Sequence, residues 1–293
     1  INLLVANTNY NLLIKQIKLY KPKFVYLNDK NNIVKLQKKI SRSTKILSFE
    51  DLTNYLYNSK SHFTILAISG YKSLYYLEQI IFNTTNLGLV SKESIVSAGH
   101  LFKKKNFLGK TNIFPLDSEH FSLFEFFKNN NDDLPNSCKI TLTASGGPFY
   151  KKKFKNLDSV TFLQATNHPK WKMGYKNSID SATLVNKCLE VIEAHYLFGI
   201  SYNNIKILIH PEALVHSIVE KKNYVSHMNL FKNDMSIPII NFLIQSKNNY
   251  NNYLKNLYFT SYSKFNFMKV NNSSFPIYKF FQNLDKSDPA NLI

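Results

Sequence analysis

Phe63-Thr64-Ile65-Leu66-Ala67-Ile68 is followed by a helix-length segment, Tyr71 to Phe82, and then by Leu87-Gly88-Leu89-Val90. Two short apolar runs around a helical pattern read as a strand–helix–strand unit whose strands are buried. The same alternation extends to both sides. Ile1 to Val5, Phe24 to Leu27 and Lys45 to Phe49 precede it as strands, and Ile113 to Leu116 follows it. Asn9 to Tyr20 and Lys92 to Lys103 are the intervening helices. Repeated βαβ units imply an α/β fold with a parallel sheet, and such sheets bind ligands beyond the carboxyl ends of their strands.

The pattern changes after about residue 120. Asn129 to Asn136 is a polar loop, Lys139 to Thr143 a strand, and Ala144 to Pro148 a tight glycine turn. Thr161 to Asn177 is irregular. A helix then runs from Ser181 to Phe198, with Asp180 or Ser181 as N-cap and Gly199 as its stop. Ile205 to Ile209, Ser217 to Glu220 and Tyr224 to Leu230 follow as strands. The expected organisation is a parallel-sheet unit over 1–120, an α+β unit over 121–265 and a connecting segment over 266–293.

The 293 residues carry 37 Lys plus Arg against 19 Asp plus Glu, a formal net charge of +18. Arg42 is the only arginine, so the excess is lysine, and Asn, Ile, Phe and Tyr are abundant beside it. These residues share A- and T-rich codons. Lysine also lacks the planar fork with which arginine reads phosphates and bases, so a nucleic-acid partner is not expected. The runs Lys103 to Lys105 and Lys151 to Lys153 read as solvated ends and loops. No apolar run approaches the roughly 20 residues that cross a bilayer, so no membrane partner is expected either. Cys138 and Cys188 fit no disulfide framework or metal spacing, and the expected compartment is the cytoplasm.

Candidate chemistry begins at Asp117-Ser118-Glu119-His120, directly after the strand ending at Leu116. Carboxylates at i and i+2 can converge on a hard divalent cation, although an acidic helix start reads equally well. Asn186, Lys187, Glu190 and Glu193 share one helical stripe. A solvated face explains such a stripe too. Thr143 to Phe149 combines a strand end with adjacent glycines, so its backbone N–H groups and the Ser145 hydroxyl could hold a phosphate. A plain β-turn is the alternative. Trp171, the only tryptophan, lies in the irregular stretch with His168, Met173 and Gly174. His210 and His216 are not at a helical metal spacing and read as structural.

Taken in order, Ser91-Lys92-Glu93-Ser94, Pro115 to His120, Thr143 to Phe149, His168 to Gly174, Asp180-Ser181-Ala182-Thr183, Asn186-Lys187, Glu190 and Ile209-His210-Pro211 resemble the 1-deoxy-D-xylulose 5-phosphate reductoisomerase family. The resemblance implies a Rossmann-like N-terminal domain followed by an α+β catalytic domain, NADPH as cofactor, Mg or Mn, a phosphosugar substrate and a homodimer. It implies that Asp117, Glu119 and Glu190 ligate the metal. Lys92, Ser118, Glu119 and Glu190 would then meet the substrate near it, and Ser145, Ser181, Asn186 and Lys187 its phosphate. His168 would close as a flap, so Lys92, Glu119, Glu190 and His168 are the implied catalytic set. Asn9, Ser91, Glu93 and Gly174 match cofactor-side positions, and Glu193 an outer position.

Departures fall mainly on the cofactor side. Ser91 stands for the usual Asn, Ala144 for Gly, and Asn7-Thr8-Asn9 for Gly-Lys-Asn, while only Gly70 remains of a glycine-rich turn. No GxGxxG fingerprint occurs, and the chain is expected to lack the family's first strand and C-terminal helical domain. The alternative expectation is a degenerate phosphosugar- and metal-binding protein without reductase activity.

Overall fold

The computed structural model describes residues 1–102, 109–130, 135–151, 159–167, 174–244 and 264–293. His168, Trp171, Met173 and the lysines at 103–105, 152 and 153 lie outside the described residues.

The first half alternates strand and helix: β1 (Leu3–Ala6), α1 (Tyr10–Tyr20), β2 (Phe24–Leu27), α2 (Ile33–Gln37), β3 (Lys45–Ile46), α3 (Phe49–Asn58), β4 (Ser61–Leu66), α4 (Leu74–Asn83), β5 (Thr84–Leu89), α5 (Lys92–Phe102) and β6 (Asn112–Pro115). Local chemistry sets the boundaries. The Asn9 side chain accepts the Leu12 N–H and caps α1, and Ser48 with Asp51 forms a capping box that starts α3. That box ends the expected strand Lys45 to Phe49 early, since Phe49 is already the first helical residue.

The expected parallel sheet is divided. β1, β2 and β3 form one three-stranded parallel sheet, and β4, β5 and β6 form another. Leu13, Ile14, Ile17, Val25, Leu27 and Leu36 make the core of the first. The second shares its core with the rest of the chain: Leu66, Leu87, Leu89 and Ile95 belong to the same buried cluster as Leu123, Leu142, Val191, Ile192 and Phe275.

The second half contributes α6 (Ser118–Asn129), β7 (Lys139–Ala144), α7 (Phe162–Thr166), α8 (Tyr175–Ala182), α9 (Val185–Phe198), β8 (Ile205–Ile209), β9 (Val215–Glu220), β10 (Ser226–Leu230), α10 (Ser236–Ile244), β11 (Met268–Lys269) and α11 (Pro276–Asn283). Its mixed sheet has the order β10-β9-β7-β8-β11, in which only β7 and β8 are parallel. Residues 266–293, read as a connecting segment, supply β11 and bury Phe275 and Phe281 in the core.

The long helix expected over Ser181 to Phe198 is two helices. Leu184 adopts a left-handed backbone with φ 67°, unusual for a residue with a Cβ, and breaks the run between α8 and α9. Burial of its side chain in the core offsets that conformation. Asp180 and Ser181 therefore sit in the last turn of α8 instead of capping α9, while Gly199 stops α9 in the left-handed region as expected.

α5 and α9 approach closely at Gly99, where a Cβ would lie 2.5 Å from Cγ of Tyr196. Gly99→Ala must push that ring away and is expected to destabilise the protein by about 1–3 kcal/mol, seen as a fall of several degrees in the thermal midpoint. An unchanged midpoint would show that the two helices are not locked at this point.

Candidate active site

α5 begins with Lys92 just beyond the carboxyl end of β5, and α6 begins with Ser118 just beyond that of β6. The parallel half thus delivers Lys92, Asp117 and Glu119 to one place, as the strand-end rule requires. Asp117 is also the N-cap of α6 and accepts the Glu119 N–H at 3.3 Å. The acidic helix start suggested for this motif is therefore present, and the same capping geometry leaves Asp117 facing Lys92. α9 supplies the opposite wall, and its polar stripe is buried: Lys187 is 3% exposed, Glu190 1% and Glu193 1%. A solvated face does not describe this helix.

The carboxylates and ammonium groups interlock. Lys92 Nζ pairs with Asp117 and lies 3.1 Å from Glu190 Oε1 and 3.6 Å from Glu193 Oε2. Lys187 Nζ lies 2.7 Å from Glu119 Oε1 and pairs with Glu190 Oε2. Asn186 Nδ2 donates to Glu190 Oε1, and Ser118 Oγ donates to Glu119 Oε2 at 2.5 Å. Behind them His120, fully buried, is 3.3 Å from Asp117 Oδ1, 3.8 Å from Glu193 Oε2 and bonded through Nε2 to the Glu190 carbonyl at 2.9 Å. Glu193 therefore supports Lys92 and His120 and stands apart from the Asp117, Glu119 and Glu190 cluster.

Burial and charge oppose each other here. Desolvation works against the Lys92 ammonium, but the facing carboxylates of Asp117, Glu190 and Glu193 outweigh it and hold Lys92 protonated, well above the usual lysine range. Burial pushes the Glu190 carboxyl up to about 7, helped by the Glu119 charge and opposed by Lys187 and Lys92. Asp117 is desolvated too, yet Lys92 and His120 hold it well below the usual carboxylate range. His120 is raised to about 9, because Glu193 and Asp117 overcome its own desolvation.

One ligand atom from each of Asp117, Glu119 and Glu190 falls within 4.8 Å of the others. An all-oxygen set of this kind suits Mg or Mn. Glu190 Oε2 is buried with the Lys187 ammonium against it but no partner in hydrogen-bond geometry. Three carboxylates drawn together in this way, one of them with unused acceptor capacity, fit a divalent cation.

The cluster forms one end of a cavity of about 230 Å³. Ser145, Ser181, Asn186 and Lys187 line the same cavity. Gly146 and Gly147 turn the chain after β7 with φ of 80° and 61°, a region that favours glycine. A Cβ on Gly147 would meet Ser181 O and the Ala182 Cα at 2.9 Å, so the absence of a side chain lets the Ser145 turn close against the end of α8. Nine sequence-selected residues thus converge: Lys92, Asp117, Ser118, Glu119, Ser145, Ser181, Asn186, Lys187 and Glu190.

Four do not line this cavity. Asn9 caps α1, Ser91 Oγ donates to the Ile68 carbonyl at 2.7 Å, Glu93 pairs with Lys176 at 2.8 Å, and Gly174 is the N-cap of α8. The cavity also contains Asn177 and Met235, which the sequence did not single out, and His216. His216, read as structural, stacks on Phe231 with ring centroids 4.0 Å apart and is kept neutral by burial. Its position in β9, beside β7 of the glycine turn, is the signal that could have marked it. His210 does take the structural role expected, bonding the Asn266 carbonyl at 2.9 Å and Glu212 at 3.1 Å.

Two family models match the chain, 1-deoxy-D-xylulose 5-phosphate reductoisomerase over residues 1–99 and the C-terminal domain of the same enzyme over 113–198. A curated reductoisomerase of Pelagibacter ubique is 37% identical over 292 residues, which is 98% of this chain and 74% of that protein. The chain belongs to the 1-deoxy-D-xylulose 5-phosphate reductoisomerase family. The Clostridium tetani reductoisomerase is 40% identical over 80% of this chain and 62% of its own length. Among solved structures, a DOX-P reductoisomerase in complex with NADPH, fosmidomycin and magnesium superposes with a TM-score of 0.84 at 28% identity, covering 96% of this chain and 71% of that one. The Zymomonas mobilis reductoisomerase with NADPH gives 0.82 at 29% identity, covering 99% and 75%. The reductoisomerase fold is therefore common to chain and relatives, and no helix among the described residues is long and apolar enough to cross a membrane.

Proposed function

We propose that this chain converts 1-deoxy-D-xylulose 5-phosphate to 2-C-methyl-D-erythritol 4-phosphate, using NADPH and Mg or Mn. The observation that carries this reading is the meeting, in one cavity, of the carboxylates Asp117, Glu119 and Glu190 with the anion-binding groups of Ser145, Ser181, Asn186 and Lys187. The curated relatives bear the reductoisomerase name, and solved family members hold NADPH and magnesium.

In this reading Asp117, Glu119 and Glu190 hold the cation, whose chemistry is Lewis-acid polarisation of the substrate carbonyl and hydroxyl oxygens during the skeletal rearrangement. Lys187 and Asn186, with the Ser145 and Ser181 hydroxyls and the N–H groups of the Gly146–Gly147 turn, bind the phosphate. Lys92 places a charged ammonium beside the reacting oxygens and orients them. Bound NADPH would supply the hydride that, with a proton, takes the rearranged aldehyde to the alcohol. Asn9, Ser91, Glu93 and Gly174 are assigned to the cofactor side and His168 to a water-excluding flap. Residues 1–120 form the cofactor unit and 121–265 the catalytic unit, with 266–293 continuing from it. The outer edge of β10, unpaired among the described residues, is the assigned dimer seam. Cys138 and Cys188 are buried thiols, which accords with a cytoplasmic location.

Purified protein is expected to oxidise NADPH only when the phosphosugar and Mg or Mn are both present. Oxidation that continues in chelator would overturn the metal assignment. Phosphosugar and metal binding with no NADPH oxidation would identify a member that has lost its reductase step.

A further inference from the structure

α8 carries two cavity residues, Asn177 and Ser181, while α5 opens with Lys92 on the facing wall. The two helices are joined through one side chain. Lys176 Nζ lies 2.8 Å from Glu93 Oε1 on α5 and 2.6 Å from Asp180 Oδ2 on α8. Each carboxylate is the chain neighbour of a cavity residue, Glu93 of Lys92 and Asp180 of Ser181. Both are largely screened from solvent, at 21% and 16% exposure.

Glu93 is itself anchored. The start of α5 on either side of it is stitched to the 68–73 turn by Ser91 Oγ on the Ile68 carbonyl at 2.7 Å and by Ser94 Oγ on Ser73 Oγ at 2.8 Å. A fixed acceptor on α5 therefore faces a donor on α8. A lone exposed pair at i and i+4 contributes little, and the Lys176–Asp180 contact by itself would be unremarkable. Its effect here is to hold the ammonium extended toward Glu93, so that a pair between distant elements forms with less loss of side-chain freedom.

We propose that Lys176 is a positioning residue that straps α8 to α5 and thereby fixes Ser181 and Asn177 relative to Lys92 around the bound phosphosugar. The inference rests on the proposed reductoisomerase reading. Placement errors on the order of 1 Å in such walls are enough to weaken productive binding strongly.

The test is a double-mutant cycle on the purified protein with phosphosugar, NADPH and Mg. Lys176→Met is expected to raise KM for the phosphosugar roughly tenfold while kcat changes by less than about threefold, and Glu93→Gln to raise the same KM by a similar factor when measured at saturating NADPH, whatever its separate effect on the cofactor. The double variant should show no further rise, and Lys176→Arg should restore KM to within about twofold. Additive effects, or an unchanged KM accompanied only by a lower thermal midpoint, would overturn the strap. Should Lys176→Met fail to fold, Glu93→Gln and Lys176→Arg carry the same comparison. Absence of turnover in the wild-type chain would instead overturn the proposed function.

Discussion

Glu190→Gln abolishes metal-dependent turnover, with an expected loss of about three orders of magnitude or more. Glu190 is the most deeply buried member of the carboxylate cluster. Its Oε1 accepts from Asn186 and Lys92, and its Oε2 faces Lys187. The amide keeps the shape but removes the charge, and it sets an NH2 donor against an ammonium. Mutating even the outer partners of metal ligands typically costs 10–100-fold in affinity, so loss of a direct carboxylate should lower Mn affinity by at least about 100-fold. Lewis-acid stabilisation of several kcal/mol disappears with it, and each 1.36 kcal/mol is tenfold in rate. Calorimetric titration with Mn and steady-state NADPH oxidation read the two effects separately. A variant that keeps a tenth of wild-type turnover would remove Glu190 from the cation site.

Lys187→Met destabilises the protein in chelator by about 3–5 kcal/mol, the cost of leaving buried charge without its partner. Methionine matches the lysine stem as far as Cε, so packing changes little while Glu119 and Glu190 lose the ammonium between them. The thermal midpoint should fall by roughly 10 °C, given about 2–4 °C per kcal/mol for chains somewhat smaller than this one. Added Mn should raise the variant's midpoint more than that of the wild type, because the cation replaces the missing positive charge on the same oxygens. Differential scanning calorimetry with and without Mn checks both parts. A midpoint within 2 °C of wild type in chelator would mean that the ammonium is not what neutralises the cluster.

Much of the fold was legible in short-range patterns. The strands Phe24–Leu27 and Ile205–Ile209 match their apolar runs residue for residue, and Gly199 ends α9 as its position suggested. The failures have physical causes. Asp180 and Ser181 looked like the cap of one long helix because Asp and Ser are favoured N-cap residues, yet they end the preceding helix. Only the burial of Leu184 supports the left-handed break that places Ser181 at the end of α8. Lys176 left no signal, since its partner Glu93 lies 83 positions away in the chain, and a lysine followed four residues later by an aspartate is common on exposed helices.

What the sequence determined by itself was the set of chemical groups: the strand-end carboxylates, the glycine turn and the polar stripe of α9, each tied to a local backbone pattern that needs no distant contact. What only the tertiary structure decided was their joint state. The stripe of α9 could have faced solvent, and it is buried because α5 packs so closely against that helix, with no side chain at Gly99 to hold Tyr196 away. That packing brings Lys92 to within 3.1 Å of Glu190 across 98 residues of chain and turns separate charges into one balanced cluster, since burial raises the cost of any charge left without its counterpart.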